Sequence, residues 1–170
     1  MKKFMWTLGV FVLFIAFNSC GPTPNDAVEY NDKIIAQQNR IVKKEDAFLT
    51  ALEGSAADMK AAYDSLIGQV AASISATAAL GEFDGKKDFM DASIKMLNLY
   101  KGVVETDYKV LVDILSKSQD EITDADQETY NAAIQSADEK LKKANQDLED
   151  AQNAFSKAYK FDIDPTKVVE

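Results

Sequence analysis

A chain of 170 residues, 46% hydrophobic and 28% charged, has material for one compact domain, and its 7 Gly and 3 Pro leave little for strand-turn-strand architecture. A formal net charge of −9 repels phosphate backbones and anionic headgroups, which argues against nucleic acid as a partner and against electrostatic attachment to membranes. With no histidine and a single cysteine, Ser–His and Cys–His catalysis, histidine zinc sites, proximal-histidine haem and an internal disulfide are all excluded.

The first twenty residues carry an address. Met1-Lys2-Lys3 is a short basic start, and the run from Phe4 to Phe17 is almost uninterruptedly apolar. That run suits a signal peptide and falls short of the roughly 20 residues that span a bilayer. Phe17-Asn18-Ser19-Cys20-Gly21 then places small residues around the only cysteine. This arrangement resembles the lipobox of bacterial lipoproteins, although that pattern prefers Leu where Phe17 stands and Ala or Ser where Asn18 stands. The resemblance implies removal of residues 1–19 by cleavage between Ser19 and Cys20, and a covalent lipid on the Cys20 thiol. It also implies a place in the bacterial cell envelope, with Gly21 pointing to the outer membrane because it is not the Asp that retains such proteins at the inner one. Each buried methylene contributes about 0.8 kcal/mol, so two or three acyl chains hold a protein firmly where one is marginal. No other cofactor is expected. Residues 20–25 read as the lipidated Cys and a short, helix-incompatible tether, reaching only about 15–18 Å.

Residues 26–170 read as one all-α domain. In the first helix, Asp26 to Leu52, apolar doublets recur every seven residues at Ile34-Ile35, Ile41-Val42 and Phe48-Leu49, giving one wide face, with Asp26 as N-cap. Between the doublets fall Asn31, Gln38 and Glu45, also seven apart and projecting inside the apolar sector. Two readings of this polar line stand: buried polar groups that fix helix register, or a ligand or cation pocket within the bundle. The segment from Tyr30 to Ile41 is similar to the first helix of bacterial helical-bundle surface lipoproteins, which implies a bundle and supplies no active site.

The second helix runs from Ser55 to Leu80, on Met59, Tyr63, Leu66, Val70, Ile74 and Thr77, and Gly81 ends it. Gly68 inside it reads either as a close approach of a neighbour or as a surface glycine. The third is expected from Asp84 to Ser118, on Met90, Ile94, Leu97, Val104, Tyr108, Leu111 and Leu115, broadened by Tyr100 and Val112. The fourth starts at an N-cap Thr123 with Asp126 three residues on. It carries a 4-3-4-3 seam of Tyr130, Ile134, Ala137, Leu141, Ala144, Leu148, Ala151, Phe155 and Ala158, with Asp138–Lys142 and Glu139–Lys143 pairs on the solvent side. Short connections between long helices make neighbours antiparallel, so the expected fold is an up-down-up-down four-helix bundle, one end closed by Phe161, Ile163 and Pro165.

No Walker loop or dinucleotide fingerprint occurs, and the acids from Asp120 to Glu128 lack calcium-loop spacing and read as caps. No catalytic or metal-ligating set stands out. The expectation is a non-enzymatic envelope lipoprotein that engages another protein or stabilises an assembly, with homo-oligomers open. The alternative is a small-ligand or cation binder using Asn31, Gln38 and Glu45.

Overall fold

The computed structural model describes residues 21–164. Ser19 and Cys20, on which the cleavage and lipidation readings rest, lie outside the described residues, as does Pro165. Within them the chain is an all-α four-helix bundle. The rods are α1 (Pro24–Ala51), α2 (Ala56–Ala79), a third rod built of α3 (Asp88–Val103), a π turn (Val104–Tyr108) and α4 (Lys109–Leu115), and α5 (Asp124–Tyr159). Sequential rods pack side by side and α1 closes the ring against α5, most sparsely of the neighbouring pairs. The order is the up-down-up-down one that short loops demand.

Capping sets where the rods begin. α1 starts at Pro24, two residues ahead of the expected Asp26, because Thr23 is the N-cap. Asp26 is its N3 partner: the Thr23 backbone N–H donates to the Asp26 carboxylate at 2.7 Å, and the Asp26 N–H to the Thr23 hydroxyl at 3.3 Å. Pro24 fits the first helical position, whose N–H has no intrahelical partner in any case, so the last two residues of the supposed tether, Pro24 and Asn25, are helical. Ser55 caps α2 as expected, and Thr123 with Asp126 caps α5 in a second capping box.

The third rod begins at Asp88, not Asp84. Residues before it form a miniature hairpin in which Phe83 and Lys86 exchange backbone hydrogen bonds, both at 2.9 Å, across Asp84 (φ 54°) and Gly85 (φ 70°). Two consecutive positive φ angles define a type I′ turn, the geometry that Asp-Gly favours. The third rod is also not uniformly α-helical: its hydrogen bonding widens over Val104–Tyr108. Gly68 is exposed, with nothing within 4 Å of where a Cβ would stand, so it is the surface glycine of the two readings.

Phe48, Ile34, Leu66, Leu97 and Leu111 form the centre of the core, each at most 1% exposed. In α1 the doublets divide: Ile34, Ile41 and Phe48 are buried, Ile35 is half-buried, and Val42 and Leu49 are 43% and 44% exposed. In α5 the expected seam holds at Ala137, Ala144, Leu148 and Phe155, whereas Ile134 is 45% exposed and Ala133 is buried in its place. Lys143 pairs forward with Asp147 at 3.1 Å, not back with Glu139. The end of the bundle holding the start of α1 is packed with rings: Tyr30, Phe83, Phe155 and Tyr159 lie within 6 Å of one another in successive pairs, and Phe161 adds to them at 5.9 Å from Phe155. The expected fold-back of Phe161 is thus observed. No helix among the described residues is long and apolar enough to cross a membrane.

Candidate functional site

The polar line of α1 faces α5. Asn31 is buried, and its carbonyl oxygen accepts from the Gln152 side-chain amide at 2.8 Å. Seven residues on, half-buried Gln38 donates to Asn145 Oδ1 at 3.4 Å. Because the rods are antiparallel, seven residues forward in α1 meet seven residues back in α5. The same register carries Glu45 towards Asp138, where two carboxylates would repel. Asp138 is exposed, and the half-buried Glu45 instead accepts a hydrogen bond from the Tyr108 hydroxyl, across the bundle on the third rod.

Tyr108 is aimed by the π turn. An extra residue per turn lets adjacent positions serve different neighbours. Asp107 turns to α5, where the Lys140 ammonium donates to both carboxylate oxygens at 3.0 and 2.7 Å, while Tyr108 turns to α1. Tyr63 of α2 holds the turn from the third side by donating to the Val104 carbonyl at 3.1 Å. Burial pushes the Asp107 carboxyl up, but hydrogen bonds from Lys140, Ser136 and Thr106 outweigh it and hold the group below the usual carboxylate range.

Gln38 and Glu45 share a cavity of about 70 Å³, walled by Ile41, Val42, Met96, Tyr100, Leu141 and Asn145. Tyr100 is only 6% exposed, yet no hydrogen bond of acceptable geometry closes on its hydroxyl. An unmade hydrogen bond of that kind costs about 1–3 kcal/mol. Burial, then the nearby Glu45 charge, push the Tyr100 phenol far above its usual value. Burial and the Glu45 hydrogen bond do the same to Tyr108. The cavity wall therefore carries one phenol, Tyr100, two side-chain amides and one carboxylate, with Tyr108 hydrogen-bonded to that carboxylate from behind. Among the described residues no Lys or Arg reaches Glu45 within ion-pair distance. Asn31 is not part of it: with Gln152 it lines a separate pocket of about 150 Å³ beside Phe161 and Ile163.

Sequence reasoning missed Tyr100, Tyr108, Asn145 and Gln152 as functional groups, reading the tyrosines as apolar stripe. A signal for the amides was present: Asn145 and Gln152 are seven apart and mirror Asn31 and Gln38. Two of the junction acids, by contrast, are caps as expected, Glu121 on Ser118 and Asp126 on Thr123. Asp126 is hydrogen-bonded by Lys117 and by the Thr123 N–H and hydroxyl, which together bring its carboxyl down to about 2, and Glu121 is held low by Ser118.

The outer half of the same seam is open. Val42, Leu49 and Ile134 are the exposed large hydrophobic residues among those described. Val42 lines the Glu45 cavity with Leu141, and the register set by the two amide pairs brings Leu49 opposite Ile134 one turn and more beyond. A larger cavity of about 280 Å³ at the aromatic end is walled mainly by Tyr30, Phe83, Phe89, Phe155 and Tyr159 and by alanines of α5.

The chain matches no protein-family model, no curated protein and no solved structure. Its chemistry has to be read from its own side chains. Among the described residues no three His, Cys, Asp or Glu side chains gather as a metal site.

Proposed function

We propose that this chain is a lipid-anchored protein of the bacterial cell envelope, sited at the outer membrane, that serves as a non-enzymatic docking module. The observation that carries the docking is the exposure of Val42, Leu49 and Ile134, which the register of the two amide pairs would align along one seam. Scattered exposed apolar residues need no explanation; three large ones aligned between two helices make a groove. Its occupant on this reading is an amphipathic helix from another protein, laid into the groove by apolar residues at helical spacing. Exposed Asp46, Glu53 and Asp138 flank the apolar residues and favour a helix with basic edges.

The anchor and the groove complement each other. α1 begins at Pro24, four residues after Cys20, and at about 1.5 Å per residue Leu49 lies roughly 40 Å along it. A lipid at Cys20 would hold the aromatic end against the membrane and present the groove outwards.

Photo-cross-linking in native envelopes tests both parts. A cross-linker at Leu49 or Ile134 should give one heterologous adduct of defined mass, lost in the paired Leu49→Glu, Ile134→Glu variant and absent from Lys60 on the outer face of α2. Equal adducts at Lys60, or adducts that persist in the paired variant, would overturn the docking reading, and an adduct of twice the chain's mass would replace the foreign helix by a second copy. Palmitate labelling that is lost in Cys20→Ser supports the anchor; a blank wild type sinks it.

A further inference from the structure

We propose that the cavity between α1, the third rod and α5 binds one compact, weakly hydrated monovalent cation, of the potassium or ammonium class, against Glu45. The inference rests on neither the lipid anchor nor the docking groove.

Three observations converge. First, the Glu45 carboxylate is half-buried with no Lys or Arg among the described residues at ion-pair distance, so its charge is opposed only by neutral phenols, Tyr108 donating to it and Tyr100 beside it. Charges drawn into a low-dielectric setting are paired or lose their charge. Elsewhere on this bundle that rule is obeyed: the other inward carboxylate, Asp107, has Lys140. Secondly, the Tyr100 hydroxyl is buried against the same cavity next to Glu45 and the Tyr108 hydroxyl, yet among the described residues no well-formed hydrogen bond satisfies it, so its oxygen can still accept a cation. Thirdly, the remaining polar wall is oxygen-bearing. Gln38 uses its amide nitrogen on Asn145, leaving the Gln38 carbonyl oxygen as an unused acceptor beside Glu45.

Charge and size select the ligand class. One carboxylate balances one positive charge, and divalent ions of the calcium type collect several. The space of about 70 Å³ admits a small ion with at most a few waters and excludes a metabolite. A wall that is otherwise apolar, with Ile41, Val42, Met96 and Leu141, favours cations that shed water readily. The π turn fits this role, since it is what turns Tyr108 onto Glu45 without disturbing the Asp107–Lys140 pair.

The test uses the full chain purified in detergent, titrated with potassium chloride or ammonium chloride at constant ionic strength. N-methylglucamine chloride, too bulky for the cavity, makes up the balance. Expected are a saturable rise in melting temperature and a saturable change in tyrosine near-UV circular dichroism, with one shared midpoint. Glu45→Gln should weaken the midpoint about tenfold or more, as loss of a charged partner does, and Tyr100→Phe should weaken it less. Should Glu45→Gln not fold, Gln38→Leu serves in its place, because it removes one acceptor and leaves the carboxylate. A response that rises without saturating, that N-methylglucamine reproduces, or that is unchanged in these variants would mean that water alone fills the cavity, and would overturn the proposal.

Discussion

The two edges of α1 share one heptad pattern and have opposite fates. Towards α2, Ile34, Ile41 and Phe48 are buried against residues such as Met59, Tyr63 and Leu66, a dry contact in which the Phe48 ring lies 5.8 Å from Tyr63 and 5.3 Å from Tyr108. Towards α5, Asn31 and Gln38 take hydrogen bonds, Glu45 reaches past it to Tyr108 of the third rod, and the second member of each doublet is left part-exposed. Apolar burial is concentrated on the first edge and side-chain hydrogen bonding on the second. A bundle can leave one seam sparsely packed because the other three supply the cohesion.

That contrast can be broken or sharpened by substitution. The largest effect is expected at Phe48→Ala, about 3–5 kcal/mol of stability, as for other fully buried aromatic residues. It should show as a lower urea midpoint at unchanged slope, and a loss below about 1 kcal/mol would mean that the α2 edge is not the cohesive one. Next is Tyr108→Phe, which strips Glu45 of its donor at an expected cost of about 1–3 kcal/mol by the same measurement. Alkaline titration reads the same cluster: Tyr100 and Tyr108 are held above the usual phenol value of 10.0, so their contribution is full below that pH. It should fade as pH climbs past it, with their absorbance at 295 nm appearing only on unfolding.

Thr123→Ala should remove about 1 kcal/mol by loss of the α5 cap. Its acid partner gives a pH signature: the Asp126 carboxyl lies at about 2, lowered from 3.8 by Lys117 and Thr123. The stabilisation is therefore complete above pH 3.8 and is lost as pH falls towards 2, and the gap between wild type and variant should close over that window. The smallest effect is expected at Gln38→Leu, within about 0.5 kcal/mol of wild type, because its hydrogen bond is long and water can replace it. A thermal melt that drops by many degrees would show that the α5 seam is as cohesive as the α2 one.

Much of the fold was legible. Period and punctuation place four helices, and Ser55, Thr123 and Gly81 mark boundaries that the structure keeps. The misplacements have local causes. Thr23-Pro24-Asn25-Asp26 is a capping box with Pro at the first helical position, read instead as a loop because of its prolines. Asp84-Gly85 is a type I′ turn signal passed over in favour of an early helix start. Of the site, the polar line itself was legible, since Asn31, Gln38 and Glu45 break an otherwise apolar face. Its partners were not, and the sequence leaves Tyr100 and Tyr108 looking like two more core aromatics.

Sequence by itself determined the helices, because the signals for them act over a turn or less: a side chain capping an N–H three residues away, an apolar residue recurring on one face. Tertiary structure alone decided what the polar line meets. Asn31 finds Gln152 at a separation of 121 residues and Gln38 finds Asn145 at 107, and such pairings depend on how whole rods dock. The π turn belongs to the same class, held from three sides by Tyr63, Lys140 and Glu45. So does the exposure of Val42, Leu49 and Ile134: all three are as apolar as the core, and only the spacing of α1 from α5 leaves them uncovered.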